Sequence, residues 1–235
     1  MPIRLICLDA DDTLWGHEGY FQVAAQAYER LLAPEAPAEV IAGKLAEIED
    51  RNVHIYGYGV KGFMLSMVET AVEILGDRLT GAIAREILAI GHELLRHPID
   101  LLPDVAAALG PLAERAPLAL VTKGDLFHQE MKLAASGLGD RFSSVDIVSE
   151  KTPDHYLKVF QRHGVAPADA LMAGNSLRSD VWPALAAGAW AAHIPHVHEW
   201  ARERAEDPAG RPRFARLDSI ADLPAWVDRI NAGGD

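Results

Sequence analysis

Ile3 to Leu8 is a short, almost unbroken apolar run that ends in acids. That is the pattern of a strand buried on both faces, as in a parallel sheet. The rhythm then changes: from about Tyr20 to Arg96, segments with helical spacing follow one another and none reads as a strand. Val60, Phe63, Met64, Met67, Val68, Ala71, Val72 and Leu75 keep the i, i+3, i+4, i+7 spacing throughout. Phe21, Ala24, Ala25, Tyr28, Leu31 and Leu32 form an earlier stripe closed by Pro34. Val40, Ile41, Leu45 and Ile48 form another, and Ile83, Ile87, Ile90 and Leu94 a further one. This stretch is expected to be a small helical bundle with its Met and aromatic positions in the core.

After Pro98 helices and strands alternate. "PDVAAALGPLAER" reads as a helix and "PLALVTKGD" as a strand leaving into a polar turn; "LFHQEMKLAASGL" is a helix that Asp125 is placed to cap. "SVDIVS" is a strand, and "TPDHYLKVFQRHG" a helix opened by Thr-Pro and closed at Gly164. "ALMAGNS" is a strand, "DVWPALAAG" a short helix ending at Gly188, and "AWAAHIP" a further strand. "ARERAEDPAGRPRFARLDS" is polar with Pro and Gly and is expected to be an exposed, irregular segment. Such alternation implies right-handed crossovers. The expected fold class is α/β, a doubly wound, Rossmann-like parallel sheet with an α-helical domain inserted after its first strand. Residues 1–16 and 98–235 are assigned to the α/β core and 17–97 to the helical insertion.

The chain has 235 residues, enough for a good core plus a smaller partner domain, and the composition of a soluble globular protein. A formal net charge of −12 argues against nucleic acid or an anionic membrane as partner. It also means that an anionic substrate would need local cations. With Cys7 alone, no internal disulfide can form, and a reducing compartment is expected. No signal peptide or membrane-length apolar span is present, so the expected location is the cytoplasm.

In an open α/β sheet, ligands sit at the carboxyl ends of the strands. The residues following the expected strands are Asp9, Asp11, Asp12 and Thr13; Thr122, Lys123 and Gly124; Ser149, Glu150 and Lys151; and Gly174, Asn175, Ser176 and Asp180. Carboxylates and other oxygen donors with a lysine suit a hard divalent cation such as Mg²⁺ rather than zinc. Gly124 would let the backbone approach an anion closely, and Lys123 would face either substrate or solvent. "HIYGYGVKG", with Tyr56, Tyr58 and Lys61, is either a substrate-facing loop or a plain interhelical turn. His193, His196 and His198 lack a third metal ligand of the right kind and read as packing or exposed histidines. Trp15 either lines an entrance or packs the junction with the insertion.

These residues carry a resemblance to the haloacid dehalogenase-like (HAD) hydrolase superfamily. Its first motif, Asp-x-Asp-x-Thr after an apolar strand, is matched by Asp9, Asp11 and Thr13, and its second, a strand-ending Thr or Ser, by Thr122. Its third, a Lys at a later helix start, is matched by Lys151. Its fourth, Gly-Asp-Ser with a following acid, is matched by Gly174, Ser176 and Asp180, with Asn175 where Asp is usual. The helical insertion resembles the family's C1-type cap, whose closure would exclude water.

The resemblance implies a Mg²⁺-dependent phosphatase acting on a small phosphorylated metabolite, as a monomer or homodimer. Asp9 would be the nucleophile of an aspartyl-phosphate mechanism and Asp11 the general acid, then base. Thr122 and Lys151 would hold and neutralise the phosphoryl group, and Asp9, Asp11 through its carbonyl, Asn175 and Asp180 would hold the metal. Asp12, Thr13, Lys123 and Gly124 would line the phosphate, Asp12 more through its backbone amide than its carboxylate. Two alternatives stay open. One is a metal-independent 2-haloacid dehalogenase, although those enzymes lack the second acid that Asp11 supplies here. The other is a relative that binds a phosphorylated ligand without turnover.

Overall fold

The structure, a computed structural model, describes residues 2–233. The expected outer limits at residues 1 and 235 lie outside the described residues. The strands are β1 (Leu5–Leu8), β2 (Leu118–Lys123), β3 (Ser144–Val148), β4 (Ala170–Gly174), β5 (Trp190–His193) and β6 (Phe214–Arg216). The helices are α1 (Glu18–Leu32), α2 (Ala38–Tyr56), α3 (Val60–Leu75), α4 (Gly81–Arg96), α5 (Val105–Arg115), α6 (Leu126–Ser136), α7 (Pro153–Arg162), α8 (Trp182–Ala186) and α9 (Leu223–Asn231). The chain divides into two compact units, one of Met1–Glu18, Ile99–Lys123 and Gln129–Asp235, the other of Gly19–Pro98 and Gly124–His128.

The first unit holds all the strands in one parallel sheet, ordered β3-β2-β1-β4-β5-β6. Strand order reverses beside β1, so the loops after β1 and β4 flank the switch point where α/β folds bind ligands. Because β1 is buried on both faces, its period of two feeds two cores. Ile6 and Leu8 pack with Val105, Leu109 and Leu112 of α5 and Trp226, Val227 and Ile230 of α9. Leu5 and Cys7 pack with Tyr156, Val159 and Phe160 of α7 and Ala184 of α8. Burial pushes the Cys7 thiol up to about 12, so it is a structural thiol.

Helix starts follow the expected chemistry. Thr152 accepts a hydrogen bond from the His155 amide (3.2 Å) ahead of Pro153, and Asp125 accepts one from the His128 amide (3.0 Å). The polar segment expected to be irregular is a correction. Phe214–Arg216 pairs with β5 at the sheet edge, and Glu203 is largely buried. An edge strand needs one neighbour only, so three residues anchored by partly buried Phe214 suffice without an apolar run. Helix α9 is also added; Leu223, Trp226, Val227 and Ile230 carry helical spacing that the sequence reading left unused.

The second unit packs α1, α2, α3 and α4 around Tyr28, Ile41, Leu45, Ile48, Phe63, Met67, Ala71, Ile87 and Leu94. The Tyr28 hydroxyl donates to the Met67 carbonyl at 2.7 Å, and the Asn52 amide to the Ser66 hydroxyl at 3.2 Å. Lys61 pairs with Asp125 at 2.9 Å and the Tyr56 hydroxyl donates to Glu69 at 3.1 Å. Among the described residues no helix is long and apolar enough to cross a membrane.

Candidate functional site

The loop after β1 turns sharply because the amides of Thr13, Leu14 and Trp15 all reach back to the Ala10 carbonyl. This turn separates the acids. Asp9 is buried at the strand end, where its carboxylate accepts from the Lys151 ammonium at 2.5 Å and the Thr13 hydroxyl at 3.1 Å. The same ammonium reaches Asp180 at 2.6 Å, so one buried cation ties the loops after β1, β3 and β4. Burial drives the Asp9 carboxyl up to about 7 against the pull of Lys151. Burial would lower the Lys151 ammonium, but Asp180 and Asp9 outweigh it and hold the group above its usual range and charged.

Gly174 permits this convergence. A Cβ there would come within 2.2 Å of Asp180 Oδ2 and 2.9 Å of the Asp9 Cβ. Asp180 also accepts from the Ser176 amide at 2.9 Å, and Ser176 caps the π-helical turn Leu177–Val181. The Asn175 amide nitrogen of the main chain donates to the Thr13 hydroxyl at 3.0 Å, and its side-chain oxygen lies 3.4 Å from that hydroxyl. His193 holds the Asn175 carbonyl at 2.9 Å; since a carbonyl only accepts, Nε2 carries the proton. Burial lowers the His193 pKa, in keeping with a neutral packing histidine.

Asp11 has a separate set of partners. Both its oxygens are held by the Lys132 ammonium, at 2.6 and 2.7 Å, and the Trp15 indole donates at 2.7 Å. The Gln129 amide adds a bond at 3.0 Å, and His17 Nε2 lies at 3.5 Å. Burial would raise this carboxyl, but His17 and Lys132 together with these bonds hold it well below the usual carboxylate range. The same Gln129 nitrogen lies 2.9 Å from the Thr122 hydroxyl and 2.5 Å from the Lys123 carbonyl, its two protons shared among these acceptors and Asp11, so it links the ends of β1 and β2.

Two expectations change. Asp12 was expected to act through its amide, yet that amide donates to the Trp15 carbonyl at 2.8 Å. Its carboxylate accepts from the amides of His17 and Glu18 at 2.8 and 2.9 Å, the entry to α1, and lies 3.3 Å from His196. A left-handed φ of 58° turns it that way. Lys123, expected to face either substrate or solvent, pairs with Glu203 at 2.6 Å and donates to the Ser179 hydroxyl at 2.7 Å, with its side chain 12% exposed. The hydroxyls of Ser176 and Ser179 donate to the other Glu203 oxygen, each at 2.5 Å. Burial raises the Glu203 carboxyl, but Lys123 and these bonds outweigh it and hold it below its usual range. Gly124 has φ 133°, a conformation side chains rarely adopt.

Sequence reasoning missed Gln129, Lys132, His17 and Glu203. Gln129 and Lys132 left a trace: they share a face of α6, three residues apart, directly after the strand that carries Thr122. Glu203 left none, because its segment is polar throughout.

Asp9 and Asp180 meet at one lysine, and the Asn175 amide oxygen lies near the Thr13 hydroxyl that bonds Asp9; these are hard oxygen donors of the type Mg²⁺ prefers. Among the described residues no group of three or more His, Cys, Asp or Glu side chains is arranged to hold a metal. The parallel α/β core thus brings buried acids, a lysine and a hydroxyl together at the switch point of its sheet.

The chain belongs to the haloacid dehalogenase-like hydrolases, whose family model matches residues 3–188. It is therefore an enzyme of the hydrolase class. It is 25% identical over 197 residues to human N-acylneuraminate-9-phosphatase, covering 79% of each chain. The mouse protein of that name is 24% identical over 243 residues, covering 97% of this chain and 95% of its own. A haloacid dehalogenase-like family hydrolase from Xanthomonas campestris superposes with a TM-score of 0.88 at 37% identity, over 98% of this chain and 93% of that one.

Proposed function

We propose that this enzyme is a Mg²⁺-dependent phosphatase of a small phosphomonoester, working in the reducing cytoplasm through an aspartyl-phosphate on Asp9. The observation that carries the reading is the Lys151 ammonium bridging buried Asp9 and Asp180, beside Thr13 and Asn175. Bringing a phosphate dianion to a carboxylate nucleophile requires cations at that point, and this acidic chain concentrates one there. Asp9, Asp180, the Asn175 amide oxygen and the Asp11 carbonyl would hold Mg²⁺, which supplies positive charge to the phosphoryl oxygens.

Asp9 attacks phosphorus, Lys151 neutralises the charge that both anions bring, and Thr122 holds a phosphoryl oxygen through its hydroxyl. Asp11 serves proton transfer. In the geometry described it is a carboxylate satisfied by several donors, the form that takes a proton from water. Donating to a leaving oxygen requires that this carboxyl first be protonated. The relatives named as phosphatases support phosphate ester over alkyl halide, and so does Asp11 itself, since halide leaves without a proton. Mg²⁺-dependent phosphate release from p-nitrophenyl phosphate, lost in Asp9→Asn, is the expected result. Halide release from 2-chloropropionate without Mg²⁺, and no phosphate release, overturns it.

A further inference from the structure

We propose that Lys132 is a positioning residue: with Gln129 and Trp15 it aims Asp11 at the water that opens the aspartyl-phosphate. The proposal rests on the phosphatase reading but uses residues to which that reading gives no part. Lys132 is 3% exposed, and a lysine is rarely buried so deeply without a partner. Its ammonium meets both Asp11 oxygens at 2.6 and 2.7 Å. A single tether would leave the carboxyl plane free to rotate. Lys132 across both oxygens, Trp15 on Oδ1 at 2.7 Å and Gln129 on Oδ2 at 3.0 Å fix the plane from several directions.

The three donors come from rigid places. Trp15 is 1% exposed, and Gln129 and Lys132 are one turn apart on α6, with Gln129 also bonded to Thr122. A base must lie within hydrogen-bond reach of the proton it takes, and misplacement by about 1 Å costs about a hundredfold in rate. In the step served, Asp11 takes one proton from water and the water oxygen bonds to phosphorus. The bond from phosphorus to the Asp9 oxygen breaks, its electron pair returns to Asp9, and inorganic phosphate leaves.

The test uses p-nitrophenyl phosphate with Mg²⁺ under pre-steady-state conditions. p-Nitrophenolate departs without needing a proton, so Asp9 is still phosphorylated when Asp11 is displaced, and only the opening of the intermediate slows. Lys132→Met is expected to lower the steady-state rate about a hundredfold and to release a burst of p-nitrophenolate stoichiometric with sites. Asp11→Asn should show the same burst, and Lys132→Arg, which keeps donors for both oxygens, should recover most of the rate. Trp15→Phe removes a single donor and should give the burst with a smaller loss, which keeps the test standing if Lys132→Met does not fold.

An unchanged rate in folded Lys132→Met, or a lost rate without a burst, overturns the role of Lys132. So does Trp15→Phe at wild-type rate if Lys132→Met is unfolded. Asp11→Asn at wild-type rate overturns the role of Asp11 instead. No Mg²⁺-dependent release by the wild-type enzyme overturns the phosphatase reading itself.

Discussion

Replacing Lys151 by Met keeps side-chain length and removes the charge between two buried carboxylates. Lys151 Nζ lies 2.5 Å from Asp9 and 2.6 Å from Asp180, so at an effective dielectric of ~20 the bared oxygens, at most about 5 Å apart, repel by about 3 kcal/mol. Breaking a buried ion pair from one side costs about 3–5 kcal/mol, the same range. Protonation of Asp9 offers relief. In the wild type this carboxyl sits at about 7, raised by burial above its unfolded value, so the folded state binds a proton that the unfolded chain does not. Stability therefore falls as pH rises, and in the wild type that fall ends near pH 7.

Without Lys151 the carboxyl moves higher still and the fall continues. Since one proton changes stability by about 1.4 kcal/mol per pH unit, the gap between variant and wild type should widen by about 2 kcal/mol between pH 7 and 8.5. Below pH 7 the gap should be flat. Urea unfolding of both proteins without added metal, at pH 5.5, 7 and 8.5, measures it. A gap that does not grow with pH, or a total loss below about 1 kcal/mol, refutes the placement of Lys151 as counter-charge to both acids.

Gly174→Ala should cost about 1–3 kcal/mol by overpacking against Asp180 and Asp9 and should abolish turnover; thermal unfolding and steady-state assay together test it. Asp12→Ala removes the acceptor for the amides of His17 and Glu18 and should destabilise by about 1–2 kcal/mol, comparable to a lost helix cap. Asp12→Gly should lose somewhat less because it accepts the φ of 58° without strain. Asn175→Asp should tighten Mg²⁺, read from the metal dependence of the phosphatase rate or from calorimetric titration; an unmoved curve removes Asn175 from the ligand set.

The chain's own order carried the α/β alternation and the motif residues Asp9, Asp11, Thr122, Lys151 and Asp180. The physical reason is local: each of these residues lies at the carboxyl end of a strand or between it and the next α-helix, and the carboxyl ends of parallel strands all fall on one side of the sheet. The apolar runs of β1, β2 and β4 make that edge readable without coordinates. What only the tertiary structure decided is which acid each cation serves. Lys151 and Lys132 are both buried lysines near the motif acids, yet one is given to Asp9 and Asp180 and the other to Asp11. That division depends on the tight turn at Ala10, which gives Asp9 and Asp11 different neighbours, and on the absence of a side chain at Gly174. It depends equally on contacts across long stretches of chain, as when Glu203 takes Lys123, whose partner lies 80 residues away. Ion pairing reads distance in space, and spacing along the chain carries no record of it.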